Sequence, residues 1–124
     1  MKIVTSYHHK TDKLLAAGYV VFNISRFSPR WIAKGKQIQF KQLAPSKEML
    51  EDGYEWTEFD SNLEKLNSTE IIDQLKKLSN GNPIALCCYE KDSGECHRSR
   101  VALWFIKNGF HVAEYREVDN KWER

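Results

Sequence analysis

The chain has 124 residues, of which 41% are hydrophobic and 29% charged, and a formal net charge of +2. That suits one globular domain with one core, over residues 1–124. No membrane-spanning helix is expected, because no apolar run approaches the roughly 18 to 20 residues that crossing a bilayer takes.

The opening "MKIVTSYHHK" has no apolar leader, so a cytoplasmic location and no membrane partner are expected. Three cysteines, two of them adjacent, do not make a secreted disulfide framework and predict reduced thiols. The charge is unevenly spread. From Lys13 to Lys47 there are seven basic residues and no Asp or Glu, whereas Glu48 to Glu95 holds twelve acids against four lysines. Such segments can neutralise each other side by side, or the basic one can meet an anion, a nucleotide or a nucleic-acid backbone.

In chain order, "KIVTSY" begins with a β-like run. "TDKLLAAG" reads as one or two helical turns, with Thr11 as N-cap and Gly18 as stop. Tyr19 to Ser25, "YVVFNIS", has the β-branched and aromatic character of a buried strand. Pro29 and Gly35 mark "RFSPRWIAKGKQ" as a loop. A short helix is expected between Ser46, its N-cap, and Gly53. Tyr54 to Asn80 reads as mostly helical, with Leu63, Leu66, Ile71, Ile72, Leu75 and Leu78 near a 3.6 period and an N-cap signal at Ser68. "NGNP" is a turn, and "IALCCYE" a strand buried on both faces. "HRSRVALWFIK" is a helix stopped at Asn108-Gly109, "FHVAEY" a further strand, and "REVDNKWER" a polar tail. This order predicts an α/β fold, a single domain with a mostly parallel sheet flanked by helices.

The richest chemistry lies at one strand-to-helix junction, Cys87 to Arg100. Ligands of open parallel sheets bind beyond the carboxyl ends of strands. The N-terminus of a helix starting near His97 attracts anions, and Arg98 and Arg100 can grip phosphate or carboxylate. A positive field also favours a thiolate at Cys88 or Cys96. His97 or Glu90 could then move protons, while Cys87 suits the core. The alternative is a structural clasp, with Arg98 paired to Glu90 or Glu95 and holding the loop closed. Zinc ligands are present in type (Cys88, Cys96, His97, with His8 or His9), but neither C-x-x-C nor a paired histidine motif occurs, so no metal is expected. No nucleophile elbow, P-loop or G-x-G-x-x-G is found, and no cofactor is implied.

The stretch "ALCCYEKDSGECHRSRVALWFIKNGFHV" resembles the family catalogued as domain of unknown function number 488, in its C-x-E-K segment, short loop, Cys-His-Arg and helix. "NISRFSP" and "LAPSKEML" resemble the serine-arginine loop and LAPS segment of that family's shorter members. The resemblance spans about Val20 to Glu114 and implies an α/β fold without a generally established activity. It implies Cys88, Glu90, Cys96, His97 and Arg98 as the functional cluster, with Ser25 and Arg26 opposite. A weaker likeness, to rhodanese-like and cysteine-phosphatase domains, fails at the decisive loop. The first arginine after Cys88 is Arg98, so the C-x5-R phosphate loop is missing.

Three functions are therefore in view. One is an enzyme or binding domain for an anionic small molecule or nucleotide, with Cys88, Glu90, Cys96 and His97 as catalytic groups and Ser25, Arg26, Arg98 and Arg100 as ligand-binding groups. The second is a nucleic-acid-associated module using Phe27, Trp31 and Phe40 of the basic 26–41 segment for stacking. The third is an interaction domain in which Cys-His-Arg is only a clasp. No feature sets an oligomeric state.

Overall fold

Short runs of β-branched and apolar residues build the sheet. The computed structural model describes residues 2–46, 56–90, 97–118 and 121–123, with side chains as far as Tyr115. Strand β4 (Ile84–Cys88) is buried at every residue, as an apolar run covered on both faces must be. β1 (Ile3–Tyr7), β2 (Val20–Asn23), β3 (Ile38–Gln39) and β5 (Ala113–Glu114) join it in a parallel sheet of order β3-β2-β4-β1-β5. This is the expected α/β architecture. The pair Ile38–Gln39, adjacent to the expected loop, adds the edge strand β3 beside Phe22 and Asn23.

Register places three strand ends level. β1 pairs with β4 from Ile3 with Ile84 to Tyr7 with Cys88. β2 pairs with β4 from Val20 with Ile84 to Asn23 with Cys87. Tyr7, Asn23 and Cys88 therefore finish along one edge. The connection from β1 to β2 passes β4 in one direction, and that from β4 to β5 passes β1 in the other. Right-handed crossovers running in opposite directions lie on opposite faces. They leave a crevice at the carboxyl ends of β1 and β4.

The period-2 alternation of β4 serves both faces. Ala85 and Cys87 pack with Val4, Leu14, Tyr19 and Val21, under helix α1 (Thr11–Ala16). Ile84, Leu86 and Cys88 pack with the apolar stripes of α2 (Trp56–Glu64), α3 (Ser68–Ser79) and α4 (His97–Lys107). Gly18, at φ 92, turns the chain out of α1 in a conformation that costs other residues more. Thr11 lies inside α1, and its hydroxyl donates to the His8 carbonyl at 2.7 Å, so it is not the N-cap.

Two other helix expectations need correcting. The chain leaves the helix between Glu64 and Ser68, so the region through Asn80 holds two helices. The N-cap of α3 is Asn67 rather than Ser68. Asn67 has extended backbone, and its side chain accepts from the Glu70 N–H at 3.1 Å, whereas Ser68 already lies in the first turn. Asn67→Ala is expected to cost about 1 kcal/mol, read as a lower urea midpoint with an unchanged slope. A midpoint equal to the wild type's would show that the cap contributes nothing. The expected polar tail instead carries a separate antiparallel hairpin, β6 (Arg116–Val118) with β7 (Lys121–Glu123). The turn-forming pair Asp-Asn separates those strands in the sequence. The helix expected between Ser46 and Gly53 falls almost wholly outside the described residues. Among the described residues no helix is long and apolar enough to cross a membrane.

Candidate functional site at the carboxyl edge of the sheet

The last residues of β1 and β2 run directly into a chain of buried polar side chains. His8, Thr11, Asn23 and Ser25 are each almost inaccessible to solvent, and buried polar groups need partners. Gln37 Nε2 donates to His8 Nδ1 at 2.9 Å and to Thr11 Oγ1 at 3.1 Å. The Thr11 proton is already used on the His8 carbonyl, so at Thr11 Oγ1 the amide must be the donor. That fixes the imidazole: Nδ1 accepts, and Nε2–H donates to Ser25 Oγ at 3.1 Å. Ser25 Oγ in turn donates to Asn23 Oδ1. Asn23 Nδ2 donates to Gln39 Oε1 at 2.9 Å, and Gln39 Nε2 to the Ser25 carbonyl at 3.0 Å. In this arrangement His8 offers a proton towards Ser25 and takes none from it. Ser25 is thus a positioned hydroxyl, not an activated nucleophile.

Burial pushes His8 down from 6.5 to about 4, with help from the positive fields of His97, Arg98 and His9. The ring is therefore neutral near pH 7. Its edge meets the Tyr89 ring at 4.8 Å.

Beside this chain lies a second, ionic node. Arg98 is 0% exposed. Its Nε and NH2 donate to the two Glu114 oxygens at 3.1 and 2.9 Å. Its NH1 donates to Cys88 Sγ at 3.3 Å and to the Glu90 carbonyl. Thr5 Oγ1 donates to Glu114 Oε1 at 2.6 Å. One guanidinium thereby ties α4, β5, β1 and the end of β4 together in a bidentate ion pair. His97 Nε2 donates to the Ile24 carbonyl at 2.5 Å, and the ring stands edge-on to Phe59. Burial pushes His97 down to about 4, opposed by the Ile24 bond and aided by Arg98.

The structure brings together Ser25, Arg26, Glu90, His97 and Arg98 near one sheet edge, but in different settings. Arg26 is half-buried and makes no hydrogen bond or ion pair within the described residues. Glu90 is exposed, and only its backbone carbonyl meets Arg98. Arg98, read from the sequence as gripping an anion, has its donors turned inward. Arg100 lies on a different side of α4, 3.5 Å from Asp60 and over the Trp56 ring, because two residues along a helix turn the side chain well away.

Cys96 lies outside the described residues. Cys88 is disulfide-bonded, which corrects the expectation of reduced thiols. Strand alternation sends Cys87 and Cys88 to opposite faces, so an adjacent pair in sequence does not stop one of them bonding elsewhere. Burial pushes the Cys87 thiol far above its ordinary value, and it packs in the core. Among the described residues no cluster of three or more His, Cys, Asp or Glu could hold a metal ion. Phe40, named as a stacking residue, is buried against Phe22, which removes it from any surface.

Beyond β2, the basic loop folds over the end of β1. Trp31 stacks on His9 with ring centres 4.4 Å apart and planes 20° apart. Lys36 pairs with Asp12 at 2.8 Å. Between them is a small cavity of about 50 Å³, lined by His8, His9, Thr11, Asp12, Trp31 and Lys36 among others.

Sequence reading had offered His8 only as a zinc ligand, and it missed Asn23, Gln37, Gln39 and Glu114. His8 directly follows a strand, as Cys88 ends one, and Asn23 interrupts an otherwise apolar run. Those were the available signals. No curated protein and no solved structure matches this chain. A family profile does match, over residues 5–109, and its description reads "Active DUF488-N3 subclade". That span runs from β1 through α4 and holds the buried polar chain and all of the ionic node except Glu114, so the chain belongs to the DUF488-N3a family.

Proposed function

We propose that this protein binds, and acts on, an anionic small molecule of the nucleotide class at the carboxyl edge of β1, β2 and β4. The observation that carries the reading is the rigidly hydrogen-bonded Ser25 beside a half-buried Arg26 that makes no pair among the described residues. Both follow β2, and Ser25 bonds His8 just beyond β1, one of the two strands whose outgoing connections diverge, the usual place for a ligand in an open parallel sheet. Arg26 supplies the fork for phosphate, and the Ser25 hydroxyl, already oriented, adds a neutral contact. Glu90 is the solvent-facing carboxylate at this edge and the group placed to move a proton. Cys88 would act as a thiolate only after reduction, when Arg98 NH1, 3.3 Å away, would favour the charged sulfur.

Thermal melting with inorganic phosphate and with AMP tests this reading. Ligand at about a hundred times its Kd stabilises by about 2.7 kcal/mol, a rise of several degrees for a chain of this size. Arg26→Ala should abolish that rise and leave the unliganded melt unchanged, because Arg26 has no partner to lose within the described residues. A wild-type melt indifferent to both compounds would remove the proposal.

A further inference from the structure

Six large hydrophobic side chains are exposed among the described residues, and they divide by type. Leu78, Leu103 and Ile106 are aliphatic and lie on α3 and α4. The three aromatic ones, Phe27, Trp31 and Tyr89, at 57%, 55% and 43% exposure, all follow the carboxyl ends of β2 and β4. Two are held by consecutive histidines: Trp31 lies flat on His9 and Tyr89 stands against the edge of His8. The Phe27 backbone carbonyl accepts from Asn23 Nδ2 at 3.5 Å, which ties the chain down there. The two rings held by histidines lose little freedom when a partner arrives.

The charge around them is largely unpaired among the described residues. Arg26, Arg30 and Lys34 make no ion pair within the described residues, and Lys36–Asp12 is the one such pair in the 24–46 stretch that the structure records. Among the described residues no ion pair joins Arg26, Arg30 or Lys34 to the acidic segment. The neighbouring cavity, about 50 Å³, is far below the roughly 300 Å³ of an enclosing small-molecule site. A base must therefore lie on the surface rather than inside it.

From these observations we infer that the 26–36 loop and Tyr89 form a stacking platform for single-stranded nucleic acid, whose phosphates meet Arg26, Arg30 and Lys34. This deepens the nucleotide reading and rests on it: the nucleotide recognised is one unit of a strand. Aromatic faces with interleaved basic residues suit unpaired bases. A duplex hides those faces and offers only phosphate.

The test is fluorescence anisotropy of a fluorescein-labelled oligothymidylate, about twelve nucleotides long, with the full chain. Wild type should bind with an affinity that falls steeply as salt rises. Trp31→Ala should weaken binding roughly tenfold or more, Trp31→Phe should restore most of it, and the melting temperature should not move in either variant. Equal affinity for Trp31→Ala and wild type would overturn the inference. So would a duplex of the same length held as tightly, or polyglutamate competing as well as the oligomer. If AMP still stabilises the protein while the oligomer fails to bind, the platform is refuted and the nucleotide site stands. If neither binds, both readings fall together.

Discussion

Arg98→Ala is expected to destabilise the protein by about 2 to 4 kcal/mol, since it leaves the Glu114 carboxylate, itself 24% exposed, without its cation and empties the place of a fully buried side chain. Glu114 would keep its Thr5 contact but lose the guanidinium that neutralises it. Cys88 Sγ and the Glu90 carbonyl would each lose a donor. Arg98→Lys should recover only part of the loss, because an ammonium cannot span both Glu114 oxygens. The pair Arg98→Met with Glu114→Leu should be closer to wild type than either single change, as apolar replacement of a whole buried ion pair often is. Urea unfolding of these five variants, the two single changes of the pair included, would decide the matter. A cost below about 1 kcal/mol for Arg98→Ala would mean that the node is an ordinary surface pair.

Acid should unfold the protein over a window set by two histidines. His8 and His97 titrate near 6.5 in the unfolded chain and near 4 in the fold. Between those values the unfolded state binds more protons, so stability falls as pH falls. The contribution is complete above pH 6.5 and is lost progressively down to about 4, on the order of 3 kcal/mol for each ring. Each charge opposes the other, so the two losses are coupled. Chemical denaturation at a series of pH values should show this slope, and His97→Gln should flatten it. Stability that stays level from pH 6.5 to 4 would mean that the rings are solvated and not buried. Because Arg98 contributes to both shifts, its removal should also weaken the acid response.

The fold was legible because each central strand is a short apolar run bounded by turn residues, and because the strand-helix order admits few topologies. The clasp was expected between Arg98 and Glu90 or Glu95; its carboxylate is instead Glu114, with Glu90 contributing only its carbonyl, though the pattern held a signal for that partner too. Arg98 falls on the stripe of Val101, Trp104 and Phe105, at spacings of three, six and seven residues, and such a stripe faces the core. Arg100 falls off it. In "FHVAEY", Val112 and Glu114 share one strand face. A carboxylate beside a core valine requires a cation, and Arg98 is the one that arrives. The polar chain was less legible. Gln37 reads as a loop residue and Gln39 falls in no predicted element, and nothing local shows that a strand of only two residues, Ile38–Gln39, brings them to His8 and Asn23. That proximity follows from β3 adding to the far side of β2, a long-range event that composition does not encode.

The crevice between β1 and β4 exists because their outgoing connections part company, a property of main-chain routing alone. Side chains along that edge can be exchanged in the course of divergence without altering the routing that puts a ligand there. A scaffold of this kind keeps its address while its occupant changes, so relatives sharing this strand arrangement need not share a ligand.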